Sequence, residues 1–395
     1  MLIGDHYNIL KILKDEGNSI NIDKLINIIS SNLLADIITD SDKILLNLVF
    51  SKNPSQEDLD NFLDNWDIEV VGGNKALMLA YFMKMHPELN YSDYVAPRLK
   101  GLLQYYRFKN MKLISHYTKI CRELEREKID FMIFKGGGMK HLRPEYPRVM
   151  GDIDILVEEK YWKKCGEIAQ KMGYDVCWDI HSIDLHPQGE KSGIMDIHKY
   201  IIMDTPKEKA ILKDIFKRAK KQKVFGIETL VPCNEDMFFI LLVNMVRNLK
   251  NQTSHGGILY NLFDCKFLID SKHDFDWNII IQNAQKTDTE SNIYFAIRFL
   301  NSIVPHLLSE KFKKDKYFER QFKNYCILLI YQRFFIWNMK QKCRQMNIKD
   351  LFSSWEFFKE YIKIKPKYFI IKTKIFRKNP YLAGKILRKS YLHEN

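Results

Sequence analysis

Two aspartates one residue apart, Asp152 and Asp154, stand in the run GDIDILV, and a third, Asp196, stands further along in MDIHKYI. On a strand, positions i and i+2 share a face with alpha carbons about 6.5–7 Å apart, so Asp152 and Asp154 project together from one sheet surface. Asp196, on a later strand, is placed to come up beside them. Three ionised carboxylates in one patch repel, each pair by roughly 4 kcal/mol at 4 Å with an effective dielectric near 20. Such a cluster needs a cation. Hard oxygen donors select Mg²⁺ or Mn²⁺, and two such ions about 3.5–4 Å apart hold the attacking and leaving oxygens of an in-line phosphoryl displacement. A D-x-D pair alone is most often a turn or a solvated strand edge; here it has company.

The apolar run Phe131–Phe134 ends in Lys135-Gly136-Gly137-Gly138, which reads as a buried strand feeding a glycine turn. Backbone amides at such a turn wrap a phosphate where no side chain intrudes. Lys135 and Arg148 add positive charge, with Arg148 the better bidentate partner. His198 has two readings, a contact to base or phosphate and a core-edge histidine bonded to a carbonyl. His181 and His186, i and i+5 around a hairpin, do not face one side of a regular strand and make no metal pair. His255 and Asp264 lie on the helical side, where structural hydrogen bonding is the expected role.

These residues need a sheet under them. Residues 1–128 have helical periodicity, with a capping signal at Ser55–Asp58 and one long helix over 102–124. From 129 the order becomes strand, glycine turn, strand, helix Glu158–Met172 closed by Gly173, then antiparallel strands Val176–His186 and Ile194–Ile202. The economical fold is α+β, a small mixed β-sheet with helices on one face across 129–231. Residues 232–339 are helical again, with helices near 237–249, 258–270 and 290–303, and 340–395 form a basic, aromatic-rich helical tail.

A chain of 395 residues, 46% apolar and 28% charged, is long enough for two or three domains and excludes disorder and small disulfide scaffolds. Its 7 cysteines are scattered, with no CxxC pair, as in a reducing cytoplasm. The first residues lack a signal-peptide pattern, and no apolar run approaches the roughly 18 residues of a spanning helix. A cytoplasmic location without a transmembrane segment is expected. The net charge of +13 is concentrated at one end, since Lys340–Asn395 holds 15 Lys and Arg against 4 Asp and Glu. Interleaved with aromatics, that tail suits a polyanion or an anionic membrane surface, or forms a solvated helical face.

Phe134-Lys135-Gly136, Tyr146-Pro147-Arg148, Gly151-Asp152-Ile153-Asp154-Ile155-Leu156-Val157 and Asp196-Ile197-His198, in that order, resemble the nucleotidyltransferase superfamily and its uncharacterised nucleotidyltransferase branch. The later His255-Gly256-Gly257-Ile258 and Asp264 extend the resemblance, which covers about residues 95–300. It implies a palm-like nucleotidyltransferase fold with Asp152, Asp154 and Asp196 as metal ligands, Asp196 also helping to deprotonate an acceptor. Lys135, Gly136, Gly137, Arg148 and His198 would hold the nucleotide. Two positions depart from the pattern: a serine usual after the first glycine is replaced by Gly137, and the third acid is Asp rather than Glu.

The expected activity is Mg²⁺-dependent transfer of a nucleoside monophosphate from an NTP, ATP foremost, to a hydroxyl of a small molecule, a protein or an RNA. The alternative is a catalytically inactive scaffold of the same fold working at a polyanionic surface.

Overall fold

The capping signal at Ser55 forms as its spacing requires. The Ser55 hydroxyl accepts from the Asp58 N–H at 3.1 Å, and the Asp58 carboxylate accepts from the Ser55 N–H at 2.9 Å. Helix α2 (Gln56–Asp64) starts there, between α1 (Asp40–Phe50) and α3 (Gly73–Met85). The computed structural model describes residues 40–51, 53–66, 73–144, 148, 150–179, 181–189, 194–201, 207–251, 255–270 and 276–303. These belong to one compact unit, residues 1–326. The tail expected over 340–395 lies outside the described residues.

The amphipathic segment before the sheet is a single helix, α4 (Val95–Arg126), burying Leu99, Leu113, Tyr117, Ile120 and Leu124 along one face. Then come β1 (Phe131–Ile133), α5 (Lys135–Leu142), β2 (Ile153–Val157), α6 (Glu159–Lys171), β3 (Tyr174–Trp178), β4 (Ser182–Pro187) and β5 (Met195–His198). Helix α7 (Glu208–Arg218) leads to the hairpin β6 (Lys220–Val224) and β7 (Ile227–Val231), followed by α8 (Asn234–Asn251), α9 (His255–Ile269), α10 (Trp277–Lys286) and α11 (Glu290–Ile303).

The strands make one seven-stranded mixed sheet in the order β3-β4-β5-β2-β1-β7-β6. β2 runs parallel to β5 and β1 parallel to β7; the other neighbours are antiparallel. Period-2 alternation sends Ile153, Ile155, Val157, Ile183, Leu185 and Ile197 into one core with Tyr117, Ile120 and Leu124 of α4 and Cys165 and Ala169 of α6. The residues between them, including Asp154, Asp184 and Asp196, take the opposite face. Edge strand β6 exposes Lys220, Lys221 and Lys223, charges that oppose further strand addition.

Three sequence expectations change. Val176–His186 is two strands rather than one, since Tyr174–Trp178 pairs antiparallel with Ser182–Pro187. The sheet is larger than expected because the β6–β7 hairpin joins it. Its two-residue turn, Phe225-Gly226, has positive φ at both positions (51° and 86°), the requirement of a type I′ turn, and phenylalanine there disguises the signal. The glycine turn at 136–138 is instead the first turn of α5, which starts directly after the strand.

The reason for those glycines is close approach. A Cβ on Gly137 would lie 2.8 Å from Ile133 Cδ1, and one on Gly138 2.5 Å from Met237 Cε. Side chains there would first displace the ends of Ile133 and Met237, with Ile153 Cγ2 at 3.2 Å and the Ile133 carbonyl at 3.4 Å next in line. The backbone strain is carried by Lys135, whose φ of 48° turns the strand into the helix. For an L residue that conformation costs about 1–2 kcal/mol.

Candidate active site

Parallel pairing of β2 with β5 sets Asp154 directly beside Asp196 and Leu156 beside His198. One ligand atom each of Asp154, Asp196 and His198 lies within 4.8 Å of the other two. Asp154 is buried, and its Oδ1 accepts from Lys135 Nζ at 2.5 Å and from His198 Nε2 at 2.9 Å. Lys135 Nζ is also 3.4 Å from His198 Nε2. The left-handed backbone at Lys135 therefore delivers an ammonium onto the carboxylate patch.

Asp152 sits just before β2 and is not part of the tight group, although it shares the field of its neighbours. Burial, and then the charge of Asp154, pushes its carboxyl up to about 6. Burial followed by the charges of Asp154, Asp152 and Asp184 raises Asp196 to about 8. Burial would also raise Asp154, but Lys135 and the His198 hydrogen bond outweigh it and hold Asp154 well below the ordinary range. His198 falls to about 4 through burial and the nearby Lys135 charge. The patch without metal thus holds one firmly ionised carboxylate, Asp154, while Asp196 keeps its proton up to about pH 8 and Asp152 only up to about 6.

That distribution fixes a pH dependence. Asp196 has a folded-state pKa above its ordinary 3.8, so its contribution to stability is full below that value and is lost as pH rises toward about 8. Asp152 adds a similar loss between 3.8 and about 6. Metal-free protein should therefore lose stability from pH 4 to 8 through these two groups, and Asp196→Asn should flatten the part above pH 6. Urea unfolding in chelator across this range measures it; a wild-type contribution from Asp196 that rises toward pH 8 would contradict the assignment.

Arg148 is held from three sides. Its Nε donates to the buried Asp264 at 3.1 Å and its Cζ stacks 4.3 Å over the Tyr260 ring. Its backbone is fastened by Asn110 of α4, whose Nδ2 donates to the Arg148 carbonyl at 2.7 Å and whose Oδ1 accepts from the Met150 N–H at 3.2 Å. Arg148 Nη2 would stand 3.7 Å from a Cβ on Gly136, so the guanidinium lies over the first turn of α5. Asp264 makes the structural hydrogen bond expected of it; the His255 side chain lies outside the described residues.

Two neighbours escape sequence reasoning. His181, which strand geometry excludes as half of a metal pair, lies beside His198 with ring centroids 5.6 Å apart. Burial lowers its pKa, with Asp179 opposing and Arg247 and Lys135 adding to the fall. Asp184 pairs in register with Asp196 across β4 and β5. The alternation in Ser182–Pro187 could have revealed Asp184; nothing short of the strand reversal could have placed His181.

A carboxylate patch on adjacent parallel strands, flanked by a helix N-terminus and two cationic side chains, suits cation-assisted chemistry on phosphates. The chain belongs to the family described as uncharacterised nucleotidyltransferase, whose sequence profile matches residues 76–305, more than half its length. Solved structures with partial similarity include the antibiotic-resistance factor ANT(2'')-Ia, at 9% identity over 45% of this chain and 92% of that one, with a TM-score of 0.33. An antigenic nucleotidyltransferase-like protein from Paracoccidioides brasiliensis aligns at 13% identity over 46% of this chain and 91% of that one, with a TM-score of 0.31. No curated protein matches the chain in sequence. Among the described residues, no helix is long and apolar enough to cross a membrane.

Proposed function

We propose that the chain transfers a nucleoside monophosphate from an NTP, ATP foremost, to an acceptor hydroxyl and releases pyrophosphate. The observation that carries this reading is the in-register pairing of Asp154 and Asp196 on parallel strands, with a ligand atom of His198 within 4.8 Å of both. The donor set fits a divalent cation: two carboxylates supply hard oxygens, and the burial and crowding that raise the Asp152 and Asp196 carboxyls are relieved by a positive ion. Asp154 and Asp196 would hold it, with Asp152 at the entrance of β2 as the further oxygen donor. When bound, Mg²⁺ or Mn²⁺ supplies Lewis-acid stabilisation of charge on the phosphoryl oxygens.

The chain's own groups do the rest. His198 donates to Asp154 and fixes its orientation, a positioning role that supports the ligand rather than a contact to the base. Lys135 occupies one oxygen of Asp154, and a triphosphate arriving at the first turn of α5 offers its ammonium an alternative anion. The amides of Gly136 and Gly137, with the Arg148 guanidinium above them, form the phosphate cradle. Asp196 takes the acceptor proton as the new O–P bond forms and the α–β phosphoanhydride bond breaks. Residues 129–231 serve as the palm, with helices α1–α4 before it and α8–α11 after it in the chain.

The test is product analysis with each α-labelled NTP, Mg²⁺ and panels of RNA, protein and small-molecule acceptors. Label on an acceptor with equimolar pyrophosphate is expected. Release of free nucleoside monophosphate or orthophosphate, with no labelled acceptor in any panel, would contradict transfer and point to hydrolysis.

A further inference from the structure

Helix α4 is a core helix on its inner face, and a helix of this kind ordinarily presents mixed charges outside. This one does not. From Val95 to Arg122 it carries seven Lys and Arg and no Asp or Glu. The near-neutral sum over the body of the chain conceals that stretch. The same helix exposes Tyr105 at 61%, Phe108 at 73% and Met111 at 59%, half of the six large apolar side chains exposed among the described residues. At 3.6 residues per turn, Tyr105 and Met111 flank Phe108 by about 60° on either side, so the three form one outward stripe. Lys112 and Lys119 fall on the stripe, and Arg107 and Lys109 line its two borders.

From this placement we propose that the outer face of α4 binds single-stranded nucleic acid, with an RNA strand as the acceptor of the transfer. Stacking platforms set in positive charge are what a single strand requires: its phosphates meet the cations and its base faces meet the rings. A membrane surface would demand a continuous apolar face, whereas here the apolar face of α4 is spent on the core and Gln104 and Ser115 interrupt the outer one. The inner side of the same turns fastens the Arg148–Met150 segment through Asn110. A strand on the outer face therefore passes about one helix diameter, 10–12 Å, from the loop that leads into Asp152. The acceptor role rests on the proposed transfer; the binding does not.

The experiment is fluorescence anisotropy of the full chain with a fluorescein-labelled oligouridylate and its DNA counterpart, over a range of salt. Tyr105→Ala/Phe108→Ala should weaken binding at least about tenfold with an unchanged salt slope, because two stacking surfaces are lost. Arg107→Glu/Lys109→Glu should weaken binding and make the slope shallower. Both variants alter exposed side chains, and both should keep wild-type melting and wild-type stabilisation by NTP with Mg²⁺. Equal affinity of the ring variant and wild type would overturn the proposal, since binding would then belong to another surface. So would wild-type protein that binds anionic vesicles but neither oligonucleotide, or a ring variant whose only change is loss of self-association. Oligonucleotide binding that depends on the rings in a protein with no response to any NTP would uphold the surface while contradicting the catalysis. RNA labelled by wild type, and poorly by the ring variant, completes the acceptor assignment; equal labelling overturns it.

Discussion

Asp154→Asn and Asp196→Asn should both abolish transfer, yet move the stability of the metal-free protein in opposite directions. Each removes a charged oxygen donor, and several kcal/mol of phosphoryl charge stabilisation corresponds to a loss of about 10³-fold or more in rate. Their folded-state energetics differ. Asp154 is favoured as the anion, because Lys135 and His198 both donate to its Oδ1. Asparagine mimics the protonated form and forfeits that preference. Breaking a buried ion pair outright costs about 3–5 kcal/mol, but Lys135 can turn to Asp152, so a loss of about 1–3 kcal/mol is expected. Asp196 is already favoured as the neutral acid, with its carboxyl raised to about 8, and a neutral amide in its place imposes no such loss. At pH 8 the Asp196→Asn variant should equal or exceed wild type in urea unfolding. Matching destabilisation by the two substitutions would refute the charge distribution derived for the patch.

Asp264→Ala should be strongly destabilising although it lies away from the patch. Asp264 is fully buried on α9, and its carboxylate meets the Arg148 guanidinium, itself only 15% exposed and stacked on Tyr260. Removing the carboxylate leaves a buried guanidinium without that counter-charge, a loss of about 3–5 kcal/mol. The effect should reach the chemistry, because Arg148 helps to draw down the pKa of Asp152 and lies over the first turn of α5. A cycle with Arg148→Met separates coupling from packing: the double variant should be clearly more stable than the two single losses predict, since each removes the other's stranded charge. Strict additivity in urea unfolding would show that the pair is not coupled.

Much of the site is legible in the sequence because its chemistry is local. Alternation puts Asp154 on the polar side of a strand, and the Asp196-Ile197-His198 run has the same period, but the parallel pairing of β2 with β5, and the start of β2 only after Asp152, remain to be found. The triple glycine is legible as a signal, though its meaning is not. A turn and a helix packed tightly on a strand both demand glycine, and only the position of Met237, 99 residues after Gly138, decides between them. Arg148 reads as a phosphate ligand, and its commitment to Asp264 depends on a contact across 116 residues. His181 joins no metal group with His186, but its place beside His198 depends on the pairing of β3 with β4, which its own sequence neighbourhood does not show. The basic face of α4 is hidden by summation, since net charge averages over surfaces that the fold keeps apart.

The proposal of a metal-dependent NTP site that includes Asp152 and Asp154 is tested most directly by thermal unfolding with each NTP, with and without Mg²⁺, for wild type and for Asp152→Ala/Asp154→Ala. A site filled at about 100 times its Kd adds roughly 2.7 kcal/mol of stability. Wild-type protein should gain that stabilisation from at least one NTP only when Mg²⁺ is present, and the double variant should gain none. Stabilisation that is absent for every nucleotide, or that persists in the double variant, would contradict the account.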